Sequence, residues 1–205
     1  MSYIRMAVFV SGRGSNMEAL IKSEELREVA EVKLVVSDKS ECKAFEIARK
    51  YKIKYVSVFD GDKSGFISYE KLLEIMAEAG INLVILAGFL KMIPKKLIQE
   101  YPWKIINIHP ALLPLFGGKG MYGMNVHSAV YASGMKISGA TVHYVNEKYD
   151  DGLIILQRAV NISDVISPEQ IAERVLRLEH ELLPEVVSLI VRDKIKIVDN
   201  RVMIS

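Results

Sequence analysis

The stretch IINIHPALLP, residues 105–114, sets Asn107 and His109 into an otherwise apolar run. Side chains two apart on a strand point to the same side. An asparagine amide can donate to a developing oxyanion, and an imidazole can move a proton. The pair therefore offers the parts of a group-transfer site. Pro110 ends the strand's ladder directly after His109, because proline brings no N–H to a sheet. Spacing alone fits equally well a strand end whose polar groups are satisfied by neighbours, and both readings stand at this point.

A second stretch, SGRGSN (11–16), separates an apolar run from a helical pattern. Gly12 and Gly14 allow main-chain N–H groups to turn inward, and a helix N-terminus adds partial positive charge. Together they make a phosphate cradle to which Ser15 and Asn16 add side-chain donors. Met17 stands where a dinucleotide fingerprint needs its third glycine, and no Lys-Ser/Thr pair follows. A dinucleotide site and a P-loop are both excluded. The plain alternative is a tight strand-to-helix turn with Ser15 or Asn16 as N-cap.

The other polar candidates read as structural when taken singly. His143 alternates with Val142 and Tyr144 and reads as a half-buried strand histidine or a neighbour of the site. His127 opens a helix, His180 sits in mid-helix, and YDDG (149–152) is a solvated turn by composition. No G-x-S-x-G elbow and no H-E-x-x-H occurs, and the four histidines lack zinc spacing, so no metal is expected.

These residues need a scaffold, and the hydrophobic rhythm supplies one. Short β-branched runs at 6–11, 32–37, 54–59 and 82–88 alternate with amphipathic segments at 16–27, 42–51 and 68–80, the last closed by Gly80. A short helix from about Pro94 precedes the run that carries Asn107 and His109. The alternation predicts an α/β fold with a doubly wound, mostly parallel sheet and helices on both faces. Ligands of such sheets bind at the carboxyl ends of the strands, where both stretches lie. Beyond residue 114 the rhythm changes. Residues 115–127 carry four glycines and read as a mobile loop leading to a short helix. KISGATVHYVN and GLIILQRAVNI read as antiparallel strands around EKYDDG. A helix from Pro168 to about Arg192 follows, with Ser167 as N-cap and Glu169 and Gln170 in its first turn, and the tail reads as a strand or hairpin.

Of the 205 residues half are hydrophobic and a quarter charged, with a formal charge of +2. That balance gives no basis for nucleic acid or a membrane surface as partner. The one cysteine, Cys42, allows no internal disulfide and fits a reducing cytoplasm. The first residues, MSYIRMAVFVSGRGSN, contain neither a bilayer-length apolar stretch nor a small-residue cleavage site, so no export signal is expected. One domain, 1–205, is expected, with a Rossmann-like half at 1–105 and a catalytic half at 106–205.

SGRGSN, LAGFLKMI (86–93), INIHPALLP (106–114), GATVHYVNEKYDDGLIILQ (139–157) and RVLRLEHELLP (174–184) resemble the phosphoribosylglycinamide formyltransferase family, in order and over nearly the whole chain. The resemblance implies the formyltransferase fold and transfer of a formyl group from 10-formyltetrahydrofolate, as cosubstrate, to the amine of glycinamide ribonucleotide in purine biosynthesis. It implies a catalytic trio of Asn107, His109 and Asp150; the family aspartate stands two residues before a glycine, here Gly152. It further implies phosphate binding by Gly12, Arg13, Gly14, Ser15 and Asn16, a ribose contact from Glu179, and a folate pocket at Leu90, Lys91, Met92, Ile93, Asn146 and Asp150. Two positions depart from the family: KSGFISYEK lacks the arginine that helps hold the folate, and Lys91 replaces an arginine fork beside it.

On this reading Asn107 and a protonated His109 donate to the oxyanion, and Asp150 keeps His109 charged, since an opposite charge raises a histidine pKa. Asp150 also helps a water carry the proton from the attacking to the leaving nitrogen. The rival readings are a formyltetrahydrofolate deformylase and a non-catalytic nucleotide-binding module. Deformylases carry an extra amino-terminal regulatory domain, and methionyl-tRNA formyltransferases a carboxy-terminal RNA-binding domain; neither has a counterpart in this sequence. A homodimer through an apolar strand edge or helix face is compatible with the composition.

Overall fold

The computed structural model describes residues 3–205; Met1 and Ser2, with which the stretch read for an export signal begins, lie outside the described residues. The chain forms two compact units, Met1–Ile106 and Asn107–Ser205.

In the first unit, β1 (Ile4–Val10), β2 (Ala30–Ser37), β3 (Lys54–Ser57) and β4 (Leu83–Leu86) alternate with α1 (Ser15–Lys22), α2 (Ala44–Lys50), α3 (Tyr69–Glu78) and α4 (Lys95–Glu100). The strands lie in the order β3-β2-β1-β4. All three neighbouring pairs are parallel, with Val8 opposite both Val35 and Ile85. Every residue of β4 is buried, as a strand covered on both faces requires. Ser68 caps α3 by accepting the Lys71 N–H at 3.2 Å. Beyond the other end of α3, Gly80 takes the left-handed conformation that the amphipathic pattern anticipated.

The helix expected over 16–27 stops at Lys22. Ser23 leaves it in an extended conformation while its N–H still donates to the Leu20 carbonyl. Residues 24–29 continue as tight turns with Leu26 buried, so the apolar period persists where the helix does not. Serine's competing local hydrogen bonds favour such an exit.

In the second unit, the end of β5 (Ile105–His109) is followed by α5 (Met124–Ala132), β6 (Ile137–Tyr144), β7 (Ile154–Asn161) and α6 (Pro168–Val191). β5, β6 and β7 are successive neighbours in sheet order. β6 and β7 run antiparallel with Thr141 opposite Gln157. α6 begins at Pro168 behind Ser167, as its sequence signals predict, although the Ser167 side chain makes no capping hydrogen bond. Instead, the Gln170 side chain accepts the Ile166 N–H at 2.9 Å. Ile171, Val175, Leu182 and Val186 form the buried stripe of α6, which packs on β6 and β7. Arg158 on β7 reaches Glu181 at 3.2 Å and also pairs with Glu185, linking strand and helix on the outer side. The tail closes as a hairpin, β8 (Ile195–Val198) and β9 (Arg201–Ile204). Asp199 and Asn200 both have positive φ, as a two-residue turn with matching twist requires.

The turn between β6 and β7 approaches its own strand closely. A Cβ added at Gly152 would stand 1.8 Å from the Tyr144 carbonyl oxygen, an atom of the main chain that cannot swing aside. Gly152→Ala is therefore expected to lower unfolding stability by at least about 2 kcal/mol. Urea denaturation measures this, and a midpoint equal to the parent's would refute the close approach.

Candidate active site

β5 carries Asn107 and His109 on one side at its carboxyl end, and the β6–β7 turn brings Asp150 to them. His109 is 3% exposed. Its Nε2 lies 2.8 Å from the Phe116 carbonyl oxygen, which can only accept, so Nε2 carries the proton. Its other nitrogen, Nδ1, stands 3.5 Å from Asp150 Oδ2. Asp150, with its side chain 13% exposed, accepts the Gly118 N–H on Oδ2 at 2.9 Å and an Asn107 amide N–H on Oδ1 at 3.4 Å. The Asp150 main chain is left-handed, with φ +52. Aspartate tolerates that region better than most residues, and such strain concentrates at functional positions.

Asp151, its neighbour in the turn, takes no part in the cluster. It is exposed, accepts from the Asn146 side chain at 3.2 Å and pairs with Lys148 at 3.7 Å. Asn146 also accepts the Lys148 N–H at 2.9 Å, so its side chain organises the turn.

His143 is a buried member of the cluster. It is 2% exposed, its Nδ1 lies 2.7 Å from the Tyr144 carbonyl oxygen, and its Nε2 lies 3.0 Å from Asn107 Nδ2. The carbonyl fixes the tautomer: Nδ1 carries the proton, and Nε2 accepts from the asparagine amide.

The segment after β5, expected to be a mobile loop from 115, is fastened to the site through its main chain by Phe116 and Gly118. Between them, a Cβ at Gly117 would come within 2.5 Å of Leu113 Cδ2 and 3.1 Å of Asp150 Cβ. Upstream, Thr141 Oγ1 accepts the Leu113 N–H at 3.1 Å and donates to the Ala111 carbonyl at 2.6 Å. Gln157 donates to both the Leu113 carbonyl and Thr141 Oγ1 at 2.9 Å. Thr141, Gln157, Phe116 and Gly118 were not singled out in the sequence. The two side chains had a signal, being polar positions on the apolar strands β6 and β7. The two main-chain groups had none.

Burial decides the charge of His109. It pushes the imidazole down more strongly than the Asp150 carboxylate and the Phe116 hydrogen bond raise it, and His143 adds a small lowering effect. The expectation that Asp150 keeps His109 charged is thus corrected: at neutral pH the ligand-free site holds a neutral imidazole with a bare Nδ1 facing a carboxylate. Burial also pushes the Asp150 carboxyl up, but the groups around it, the donating Gly118 N–H among them, outweigh burial and hold it below its ordinary value, so Asp150 is ionised. His127, on the first turn of α5, is buried with Nδ1 meeting no hydrogen-bond partner among the described residues. Desolvation, and secondarily His109, lower it to about 4.

In the first unit, the SGRGSN loop lies at the carboxyl end of β1. The cap of α1 is Gly14 rather than Ser15 or Asn16. Its φ is +78, and a Cβ there would stand 2.7 Å from the Ala44 Cβ, so only glycine fits. No side chain caps the helix, and its first turn keeps the N-terminal dipole that attracts anions. The Gly12 carbonyl accepts from the Ala44 N–H at 3.2 Å and the Cys42 thiol at 3.1 Å, while Arg13 projects outward, exposed. Ser11 joins this loop to the 88–93 turn: its N–H donates to Gly88, and its hydroxyl accepts the Leu90 N–H, both at 3.0 Å. In that turn Leu90, Lys91 and Met92 are exposed, whereas Ile93 is buried and its side chain belongs to the core. Glu179 is buried within α6 of the second unit.

A family model described as formyl transferase matches residues 4–187. The chain is 45% identical over 196 residues to the chloroplastic phosphoribosylglycinamide formyltransferase of Arabidopsis thaliana, covering 94% of this chain and 67% of that protein. It is 36% identical to the phosphoribosylglycinamide formyltransferase of Bacillus subtilis, covering 89% of this chain and 92% of the relative. The crystal structure of the Anaplasma phagocytophilum phosphoribosylglycinamide formyltransferase superposes with a TM-score of 0.88 at 36% identity, covering 100% of this chain and 95% of that one.

The buried histidines have a consequence for stability. His127 titrates lower folded than unfolded, so the unfolded chain binds more protons and stability is lost as the pH falls. The loss is expected between about 6.5, the ordinary histidine value, and about 4. Thermal unfolding followed across that window should show a falling midpoint in the parent and a shallower fall in His127→Phe. Parallel curves for the two proteins would contradict the assignment.

Proposed function

This chain belongs to the formyl transferase family, and from that premise we propose that it transfers the formyl group of 10-formyltetrahydrofolate to the amine of glycinamide ribonucleotide in purine biosynthesis. The observation that carries the reading is the cluster of half-buried Asn107 and Asp150 around buried His109, where the β6–β7 turn meets the end of β5. It offers an amide donor, a bare imidazole nitrogen and an ionised carboxylate within a few ångströms.

The substrate amine attacks the formyl carbon, a carbon–nitrogen bond forms, and the carbonyl electron pair moves to oxygen in a tetrahedral intermediate. Asn107 turns to that oxygen the N–H it directs at Asp150 across 3.4 Å, the longest of the hydrogen bonds in the cluster. Removing one such donor typically costs about 3–4 kcal/mol in the barrier. The attacking nitrogen becomes cationic and gives its proton to His109 Nδ1. The imidazolium then lies beside the Asp150 carboxylate, which offsets the cost of a buried charge. The same proton passes to the folate nitrogen as the original carbon–nitrogen bond breaks, which returns His109 to its neutral form. Asp150 thus acts on the charge that develops, rather than on one present at the outset.

In the same reading Gly12, Arg13, Gly14, Ser15 and Asn16 hold the phosphate at the uncapped start of α1, and Glu179 contacts the ribose. Leu90, Lys91, Met92 and Asn146 with Asp150 form the folate side, on a turn anchored to the core by buried Ile93. The exposed apolar surface of Leu90 and Met92 suits a pterin ring. A reducing, cytoplasmic setting suits a chain whose one cysteine is buried as a free thiol.

A spectrophotometric assay of formyl transfer to glycinamide ribonucleotide tests the reading. Asp150→Asn keeps the shape of the side chain and removes its charge, and is expected to lower kcat by roughly a hundred- to a thousandfold with KM little changed. Near-parental turnover in that variant would overturn the role of Asp150. Formate release without transfer would make the chain a deformylase, and ligand binding without either reaction a nucleotide-binding module.

A further inference from the structure

An oxyanion donor is useful only if its amide faces the right way, and a terminal amide rotates about a soft torsion. Two acceptors surround Asn107 Nδ2: His143 Nε2 at 3.0 Å and Asp150 Oδ1 at 3.4 Å. The two acceptors are themselves 3.7 Å apart, so both lie to one side of the amide. A half-turn of that amide would set its carbonyl oxygen against a carboxylate oxygen and a bare ring nitrogen at once. Both contacts would be repulsive, and both part-buried N–H hydrogen bonds would be lost.

The two acceptors differ in kind. Asp150 holds its N–H at the limit of hydrogen-bond length, and that is the N–H which the oxyanion takes over. Once it has been taken, His143 alone holds the other. The grip depends on the His143 tautomer, which the Tyr144 carbonyl sets through the Nδ1 proton at 2.7 Å. Buried on β6, His143 stands behind Asn107.

We propose that His143 is a positioning residue for the reaction: its proton-free Nε2 locks the Asn107 amide so that the remaining N–H points at the developing oxyanion. The inference rests on the formyl-transfer reading above. It requires His143 to act through Asn107 and to influence kcat rather than substrate affinity.

A kinetic cycle tests it. His143→Phe keeps an aromatic ring of similar size and removes the acceptor. It is expected to lower kcat roughly a hundredfold, with KM for both substrates changed by no more than about threefold. His143→Gln loses the Tyr144 contact as His143→Phe does, but places an amide oxygen where Nε2 was. It is expected to recover kcat to within about tenfold of the parent. In an Asn107→Ala background, His143→Phe should lower kcat no further, because the group it positions is gone. Equal losses in the two backgrounds, Gln no better than Phe, or parental kcat in His143→Phe would each overturn the proposal. If His143→Phe fails to fold, Gln is compared with Asn, whose side chain is one carbon too short to reach; equal kcat for these two would overturn it.

A second readout needs no turnover. In the ligand-free protein labelled with 15N-asparagine, the Asn107 side-chain signal is identified by its loss in Asn107→Ala. The parent should show it shifted downfield and protected from exchange, and His143→Phe, or Gln in its place, should change it: Phe to a solvent-like position, Gln to a shifted, protected one. If the parent transfers no formyl group, the functional reading fails and this spectrum decides the rest. A signal indifferent to His143→Phe would overturn the positioning role, and a collapsed one would uphold it.

Discussion

The second unit is organised around one half-buried carboxylate. Asp150 stays ionised with little access to water, and an ionised group in that position is tolerated only when surrounding donors satisfy it. The Gly118 N–H at 2.9 Å meets that demand most directly, with the Asn107 amide in support. Three features of the surrounding chain accompany it. The strand after β6 turns so tightly that Gly152 lies against the Tyr144 carbonyl. The Asp150 main chain adopts a left-handed conformation. The loop after β5 has glycine at 117, where a Cβ would press on Leu113 and on Asp150 itself.

Two effects compete over His109, and their ranking sets the direction of proton flow. Coulombic attraction from Asp150 favours imidazolium, while loss of water disfavours it, and in this site burial is the larger. A permanently charged His109 would be an acid waiting for a base. A neutral one, with Nε2–H spent on Phe116, presents Nδ1 as the only nitrogen able to take up a proton, and does so beside the carboxylate that stabilises the product of that uptake. Geometry and electrostatics thus agree on a base that becomes an acid within one turnover.

Much of the scaffold was legible in the sequence because burial on both faces leaves a distinctive pattern. β4 as LVIL, the helix period of 68–80 with Gly80 beyond it, and Pro168 at the first position of α6 were all readable locally. α1 was read too long because the apolar period continues through Leu26 after Ser23 has left the helix. The cap at Gly14 was missed because its cause, contact with Ala44, lies thirty residues away in the chain. Asn107 and His109 were visible as polar residues on an apolar strand, but alternation could not say whether they were satisfied or used. Asp150 came from the family resemblance rather than from spacing. Phe116 and Gly118 act through main-chain atoms that every residue possesses, so no residue type could have marked them. His143 looked structural because the feature that matters, the side of the ring that is bare, is set by a carbonyl rather than by sequence.

The protonation state of His109 in the ligand-free protein is the most direct test of this account, and 15N NMR of labelled histidine reads it nitrogen by nitrogen. At pH 7 the His109 signals should show a protonated Nε2 and a bare Nδ1, with the ring titrating below the ordinary histidine value of 6.5. A ring protonated on both nitrogens at pH 7, titrating above that value, would mean that the Asp150 charge rather than burial governs the site, and the account of His109 as the proton acceptor would be wrong.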